Sequence, residues 1–208
     1  MRKIIRFTAG CILAGLAGVA IQAQSLDQPE GIWFKHPDNT GKRFLYSQCI
    51  LWPSSLASHV AVYIKEDVDW SQIVKLSMYK RTFTLPPVWD EDHWSWNYEV
   101  HPIMGSFSYL SYRNHGGHWA EAVAGTALNS VIYEYLIAGG TQQPSWNDMI
   151  ATPLLGSLLG EGIYQAKKLM IRDRYLSWWE KILISVTDPF EVLYYGFDYR
   201  KIAAASYR

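Results

Sequence analysis

Three residues in the middle of the sequence have the side chains that acid–base chemistry needs. His101 stands in WNYEVHPIMGS, Glu134 in NSVIYEYLIAGG and Asp148 in PSWNDMIATPLLGSLLGEG, each within or beside an apolar helical pattern. A proline disfavours the α conformation of the residue before it, so His101 is expected just outside a helix that begins at Pro102. The exposed N–H groups and positive dipole end of that helix should keep the imidazole neutral and able to act as a base. Glu134 has Ile132, Tyr133, Tyr135 and Leu136 around it, which places it inward. A buried carboxylate must be paired or held protonated. Glu121 falls on nearly the opposite face of the same helical pattern and is expected in solvent. Asp148 follows Ser145 at capping-box spacing, so its simplest role is to secure a helix start.

Asn97, Ser106, Arg113 and Ser145 accompany these three as candidate binding residues. Arg113 closes the pattern that starts at Pro102; capping its own helix is the default, and pairing with an acid of a neighbouring helix is the alternative. His115 and His118 in NHGGH have no third ligand nearby, so a glycine-rich turn explains them better than a metal does. There is no nucleophile elbow, phosphate loop or zinc signature, and no cofactor is implied.

The helices that must bring these groups together are readable from residue 102 onward. Segments 102–114, 118–138, 145–171 and 175–195 show a helical apolar period, separated by NHGG, AGGTQQP and RDR. Ala120 with Ala124, and Gly156 with Gly160, put small residues four apart on one face, where backbones can approach closely. Upstream, the double proline in TFTLPPVWDED marks a seam. Residues 24–43 read as a polar extended arm, a short helix follows Pro53, and another begins at Asp69 with Gln72 completing a capping box. No alternating strand pattern of useful length appears. The expected fold is mostly α: a compact helical bundle over 90–200, behind an N-terminal arm with short helices over 24–89.

The opening MRKIIRFTAGCILAGLAGVAIQAQS has the basic start and short apolar run of a signal peptide, expected to be cleaved after residue 23. Its removal takes three bases and no acids from a neutral chain, so the exported part is slightly acidic and nothing attracts nucleic acid. One cysteine remains, Cys49, expected as a buried thiol without a disulfide partner. Ten Trp and fourteen Tyr are a heavy aromatic load, assigned first to the core and second to a membrane interface. Glu121, Glu134, Asp148 and Glu161 interrupt the apolar segments, which argues against membrane spans. The stretch YLSWWEKILISVTDPFEVLYYGF is compatible with mainly apolar attachment to a membrane surface.

From Asp90 to about Glu161, the segments DEDHWSWNYEVHPIMGSFSYLSYR, NSVIYEY and PSWNDMIATPLLGSLLGE resemble the bacterial envelope family catalogued as domain of unknown function 3943. The resemblance rests on Asn-x-x-x-His-Pro-x-x-Gly-Ser at Asn97, His101, Pro102, Gly105 and Ser106, and on Ser-x-x-Asp at Ser145 and Asp148. More distantly, the order His, Glu, Ser-x-x-Asp, Gly-x-x-x-Gly is similar to the VanZ-like envelope membrane proteins, which often have an acid where Asn97 stands. The resemblance implies an exported or membrane-associated helical domain of Gram-negative bacteria, in the periplasm or on the periplasmic face of a membrane, and supplies no reaction. Two functions follow. The preferred one is a structural or interaction module in which His101, Glu134 and Asp148 form a buried polar network. The alternative is an enzyme modifying an envelope lipid or glycan, with His101 as base, Glu134 orienting or protonating, and Asp148 completing the cleft. A membrane surface, an envelope lipid or an envelope protein are the partners compatible with the sequence, which does not set an oligomeric state.

Overall fold

The computed structural model describes residues 29–65 and 75–205. The opening apolar segment and the Asp69–Gln72 pair lie outside them. Helix α1 runs Thr40–Lys65, α2 Leu76–Thr84, α3 His101–Arg113, α4 Trp119–Ile132, α5 Trp146–Met170, α6 Trp178–Thr187, α7 Pro189–Tyr194 and α8 Tyr199–Ala204. Among the described residues the only β interaction is a bridge between Val88 and Ser145.

Local chemistry accounts for most helix ends. Ser145 accepts from the Asp148 N–H at the start of α5, and Lys167 and Lys168 sit in its last turn, where the dipole favours cations. Glu180 accepts from the Ser177 N–H at 2.8 Å to begin α6. Asp188 caps α7, whose first residue is Pro189. Gly116, at φ +82°, turns the chain after α3, a conformation that glycine adopts without penalty.

Four departures from the sequence-based expectation concern the elements. The arm ends earlier than residue 43, because Asn39 accepts from the Lys42 N–H and starts α1. Pro53 begins no helix; it lies inside α1, whose next residue, Ser54, bonds back to the Ile50 carbonyl at 2.6 Å. The apolar pattern over 175–195 is broken at Asp188 into α6 and α7. At Pro102 the helix continues upstream: Trp96–Val100 form a π-helical turn, and the His101 N–H donates to the Trp96 carbonyl. The wider turn accommodates a proline that lacks an N–H and crowds the preceding backbone.

Helix α3 is the middle element, packed against α1, α4 and α5. Helix α4 follows it. It runs antiparallel to α3, with Asn129 donating to Ser108 at 2.8 Å and Gly125 against the Tyr112 ring. Helix α5 returns parallel to α3. A Cβ on Gly156 would lie 2.6 Å from the Gly105 Cα, and one on Gly160 would lie 2.8 Å from the Tyr109 ring, so the expected glycine face of α5 is where the two backbones meet. On α4 the close approach falls at Gly125 rather than at Ala120 and Ala124, which are half-buried. Helix α1 lies across α3 and α4, and Ile50 and Tyr46 join a core with Leu110, Tyr164, Ile184, Tyr194 and Ile202.

The aromatic residues divide by type. Six tyrosines, Tyr46, Tyr109, Tyr112, Tyr164, Tyr194 and Tyr195, are essentially inaccessible, whereas all nine described tryptophans are exposed, from Trp146 at 42 % to Trp178 at 73 %. The core assignment therefore holds for these six tyrosines and fails for the described tryptophans and for Tyr98 and Tyr175, which are exposed. Cys49 is likewise exposed rather than buried.

Candidate functional site

The two ends of the bundle have different polar chemistry. At the end where α3 finishes, three ion pairs join neighbouring elements. Arg43 forks onto Glu121 at 2.8 and 3.1 Å, both side chains buried, and its Nη1 also donates to the His115 carbonyl. Glu121 is thus not in solvent as expected: α4 is covered on opposite faces, by α1 on one side and α3 and α5 on others. Arg113 forks onto Glu161 at 2.9 and 3.1 Å, lies 4.0 Å over the Tyr164 ring and donates to the Gly117 carbonyl. Burial would raise the Glu161 carboxyl, but Arg113 and the Tyr109 hydroxyl outweigh it and hold the carboxyl at about 2. Arg113 therefore serves an acid of a neighbouring helix, not its own helix end. Lys167 donates to Asp188 and, at 2.7 Å, to Asn114, all three buried. His115 is enclosed by the rings of Tyr46, Tyr194 and His36, and His118 caps α4. Among the described residues no three His, Cys, Asp or Glu side chains are grouped to hold a metal ion.

The opposite end, where α3 and α5 begin and α4 finishes, gathers acids without cations. Asp90 reaches in from the segment before α3, fixed beside α5 by the bridge that pairs the Val88 N–H with the Pro144 carbonyl at 2.9 Å. It accepts from the Ser145 hydroxyl, from Asn97 Nδ2 at 2.9 Å and from Asn147 Nδ2 at 3.3 Å. Burial opposes its charge, but these donors more than offset it and keep the carboxyl below its usual range. Glu134, wholly buried in the π-helical turn Tyr133–Ile137 that extends α4, accepts from the Ser145 N–H at 2.7 Å. Burial pushes this carboxyl up to about 8. Asp148, 1 % exposed, has neither carboxylate oxygen hydrogen-bonded among the described residues, and the His101 Nε2 stands 3.6 Å from its Oδ2. Burial, then the charges of Asp90 and Asp92, push it up to about 7. His101 is held below its normal value by burial, so its neutrality comes from desolvation rather than from a helix terminus.

This arrangement revises the capping role expected of Asp148. The Ser145 N–H that a capping box would give to Asp148 goes to Glu134 instead, and the Asp148 carboxyl turns to His101. Of the residues singled out from sequence, the structure brings together Asn97, His101, Glu134, Ser145 and Asp148. It does not bring in Arg113, at the far end, nor Ser106, whose hydroxyl bonds to the Ile103 carbonyl within its own helix. Asp90 and Asn147 were missed. The signal for Asn147 was its place beside Asp148 in SWND, and for Asp90 its place in the acidic run DED seven residues before Asn97.

His101 is also part of the wall of a cavity of about 140 Å³ between α1, α3 and α4, floored by Gly105 and Thr152. Glu134 and Asp148 do not line it. The His101 imidazole thus stands between the Asp148 carboxyl and a cavity lined by no charged side chain. The family described as a domain of unknown function (DUF3943) matches residues 86–190, half of the chain and the whole of this polar cluster. The chain belongs to the DUF3943 family. Comparison with curated proteins and with solved structures finds no match. The DUF3943 match begins just before the bridge at Val88 and ends within α7, so it holds α3, α4 and α5 and every residue from Asp90 to Asp148 named above, while α1 and its side of the cavity lie outside it.

Proposed function

We propose that this chain is an exported helical module of the bacterial cell envelope, in the periplasm or on the periplasmic face of a membrane, that rests on a membrane surface, with its His101, Glu134 and Asp148 network fixing how helix ends meet. The observation that carries this is the placement of the tryptophans, every described one of which is outside while six tyrosines fill the core. Tryptophan combines a large apolar body with one N–H donor, which suits the boundary between lipid and water better than open solvent. The patch is best defined on α6, where Trp178, Ile182 and Val186 make one exposed stripe and Trp179 and Leu183 a second beside it. Arg172 and Arg174 stand exposed ahead of it and can meet anionic headgroups. Among the described residues no helix is long and apolar enough to cross a membrane, so the contact would be peripheral. A leader peptide over residues 1–23 supports export.

Flotation with vesicles containing phosphatidylglycerol tests this reading. The wild-type chain should float, and Trp178→Ser with Ile182→Ser and Val186→Ser should cut the floated fraction several-fold with an unchanged far-ultraviolet circular dichroism spectrum. Equal flotation of both, or none by the wild type, sinks the proposal.

A second reading, an enzyme acting on envelope lipid or glycan, draws on the His101–Asp148 pairing beside a cavity. Here only His101 can touch a substrate, and Asp148 and Glu134 act through it as positioning residues. The burial of both carboxyls favours the module. Turnover of an envelope lipid or glycan extract that is lost in His101→Asn and kept in Trp178→Ser would reverse that preference.

A further inference from the structure

The cavity beside His101 has features of a binding site that the membrane reading does not need. Its body is apolar, from Ile50 and Leu51 of α1 and Met104 and Phe107 of α3, and no Lys, Arg, Asp or Glu lines it. Its polar groups are hydroxyls, the Asn129 amide, the His101 imidazole and the Trp96 indole, and most of the hydroxyls are already occupied. Ser54 donates to the Ile50 carbonyl at 2.6 Å, Thr126 to the Ala122 carbonyl at 2.8 Å, and Asn129 to Ser47 and Ser108. One is left over: the Thr152 Oγ1 is buried and has no hydrogen-bond partner among the described residues. Buried hydroxyls are rarely left without a partner, because the lost hydration is not recovered.

We propose that this cavity binds a small neutral molecule with an alkyl or ring body and a single hydrogen-bonding group, which meets the Thr152 hydroxyl. The volume, about 140 Å³, matches cavities known to take a six-carbon ring. An anionic head is disfavoured, since no cation faces the cavity and Asp90, Asp92 and Asp148 lie behind His101. A cationic head is disfavoured because the nearest carboxyls are screened by the imidazole and are not in contact with the cavity. Trp96 and Val100 ahead of α3 and Ser58 on α1 are the exposed residues of the lining, and entry lies between them. The site stands whether or not the chain rests on a membrane.

Calorimetric titration of the full chain with hexan-1-ol, hexanoate and benzene provides the test. Hexan-1-ol should bind saturably at one site and hexanoate at least tenfold more weakly. Ser54→Phe, which fills the cavity from α1, should abolish binding of hexan-1-ol and benzene alike. Thr152→Val, which keeps the shape, should weaken hexan-1-ol about three- to tenfold and leave benzene unchanged, and Thr152→Ser should restore the alcohol. Equal binding of hexan-1-ol and hexanoate overturns the proposal, as does alcohol binding that survives Ser54→Phe or is indifferent to Thr152→Val. Ser54→Phe is read only if its melting is cooperative; otherwise the Thr152 pair decides.

Discussion

Glu134 and Asp148 each take up a proton more readily in the folded chain than a free carboxyl does, with values of about 8 and about 7. A raised folded pKa stabilises the fold fully below the unfolded value near 4, and that contribution is lost as pH rises through the folded value. Replacing Glu134 by Gln keeps an acceptor for the Ser145 N–H while removing the charge. The stability of Glu134→Gln relative to wild type, followed by melting, should therefore rise steadily from pH 5 to pH 8, by a difference on the order of 4 kcal/mol at the upper end. Asp148→Asn should behave alike, with its rise complete nearer pH 7; a flat difference in thermal scans across that range would contradict both. His115 has the opposite sign. Enclosed by tyrosine rings, it is held neutral well below its normal value by burial, so it destabilises the fold as pH falls below about 6.5, where the unfolded chain is protonated. His115→Phe should flatten the acid side of the stability curve and leave the alkaline side as it is.

Among the elements, the parallel pair α3 and α5 depends on two glycines in direct contact. A methyl group on Gly156 would meet the Gly105 backbone at 2.6 Å, and neither partner is a flexible side chain that could move aside. Gly156→Ala should cost about 1–3 kcal/mol by forcing the helices apart, despite the better helix propensity of alanine. Calorimetry should show a drop of about 2–4 °C for each kcal/mol. Gly162 has nothing within 4 Å of its Cβ position, so Gly162→Ala on the same helix should be neutral or slightly stabilising. The glycine spacing and the Ser145 cap of α5 were legible in the sequence because both act within about one helical turn. The π-helical turns were not: they arise where Pro102 must be accommodated at the start of α3 and where α4 meets the acid cluster, and a regular period of 3.6 residues does not register them.

At the scale of the molecule, distant segments close the paired end of the bundle. Lys167 on α5 lies beside Asp188 ahead of α7 and Asn114 after α3, all buried. Lys167→Met would leave Asp188 charged and without its cation, and denaturant unfolding should report a loss of about 3–5 kcal/mol. Lys167→Met with Asp188→Asn should recover much of that loss, because the remaining groups are neutral. The segment before α1 is tied to the same end through the Ile32 N–H on the Tyr194 carbonyl at 2.9 Å and the Trp33 Nε1–H on the Leu193 carbonyl at 3.3 Å. These ties join parts of the chain more than 150 residues apart, so that end closes only when the last helices have formed.

The sequence by itself determined the helical class, the segments between residues 102 and 171, the inward position of Glu134 and the glycine face of α5. Each of these depends on apolar period, capping or residue size within a few positions along the chain. Only the tertiary structure decided which charges have partners. It buried Glu121 against Arg43, gave Arg113 to Glu161, brought Asp90 to Ser145 and turned Asp148 toward His101. It also sent the described tryptophans to the surface and six tyrosines to the core. The reason is physical: period and caps are set by the backbone geometry of one turn, whereas the partner of a buried charge is whatever another helix presents, from 47 to 78 residues away in these cases. A single helix with several covered faces cannot announce, from its own pattern, which of its polar residues will meet one.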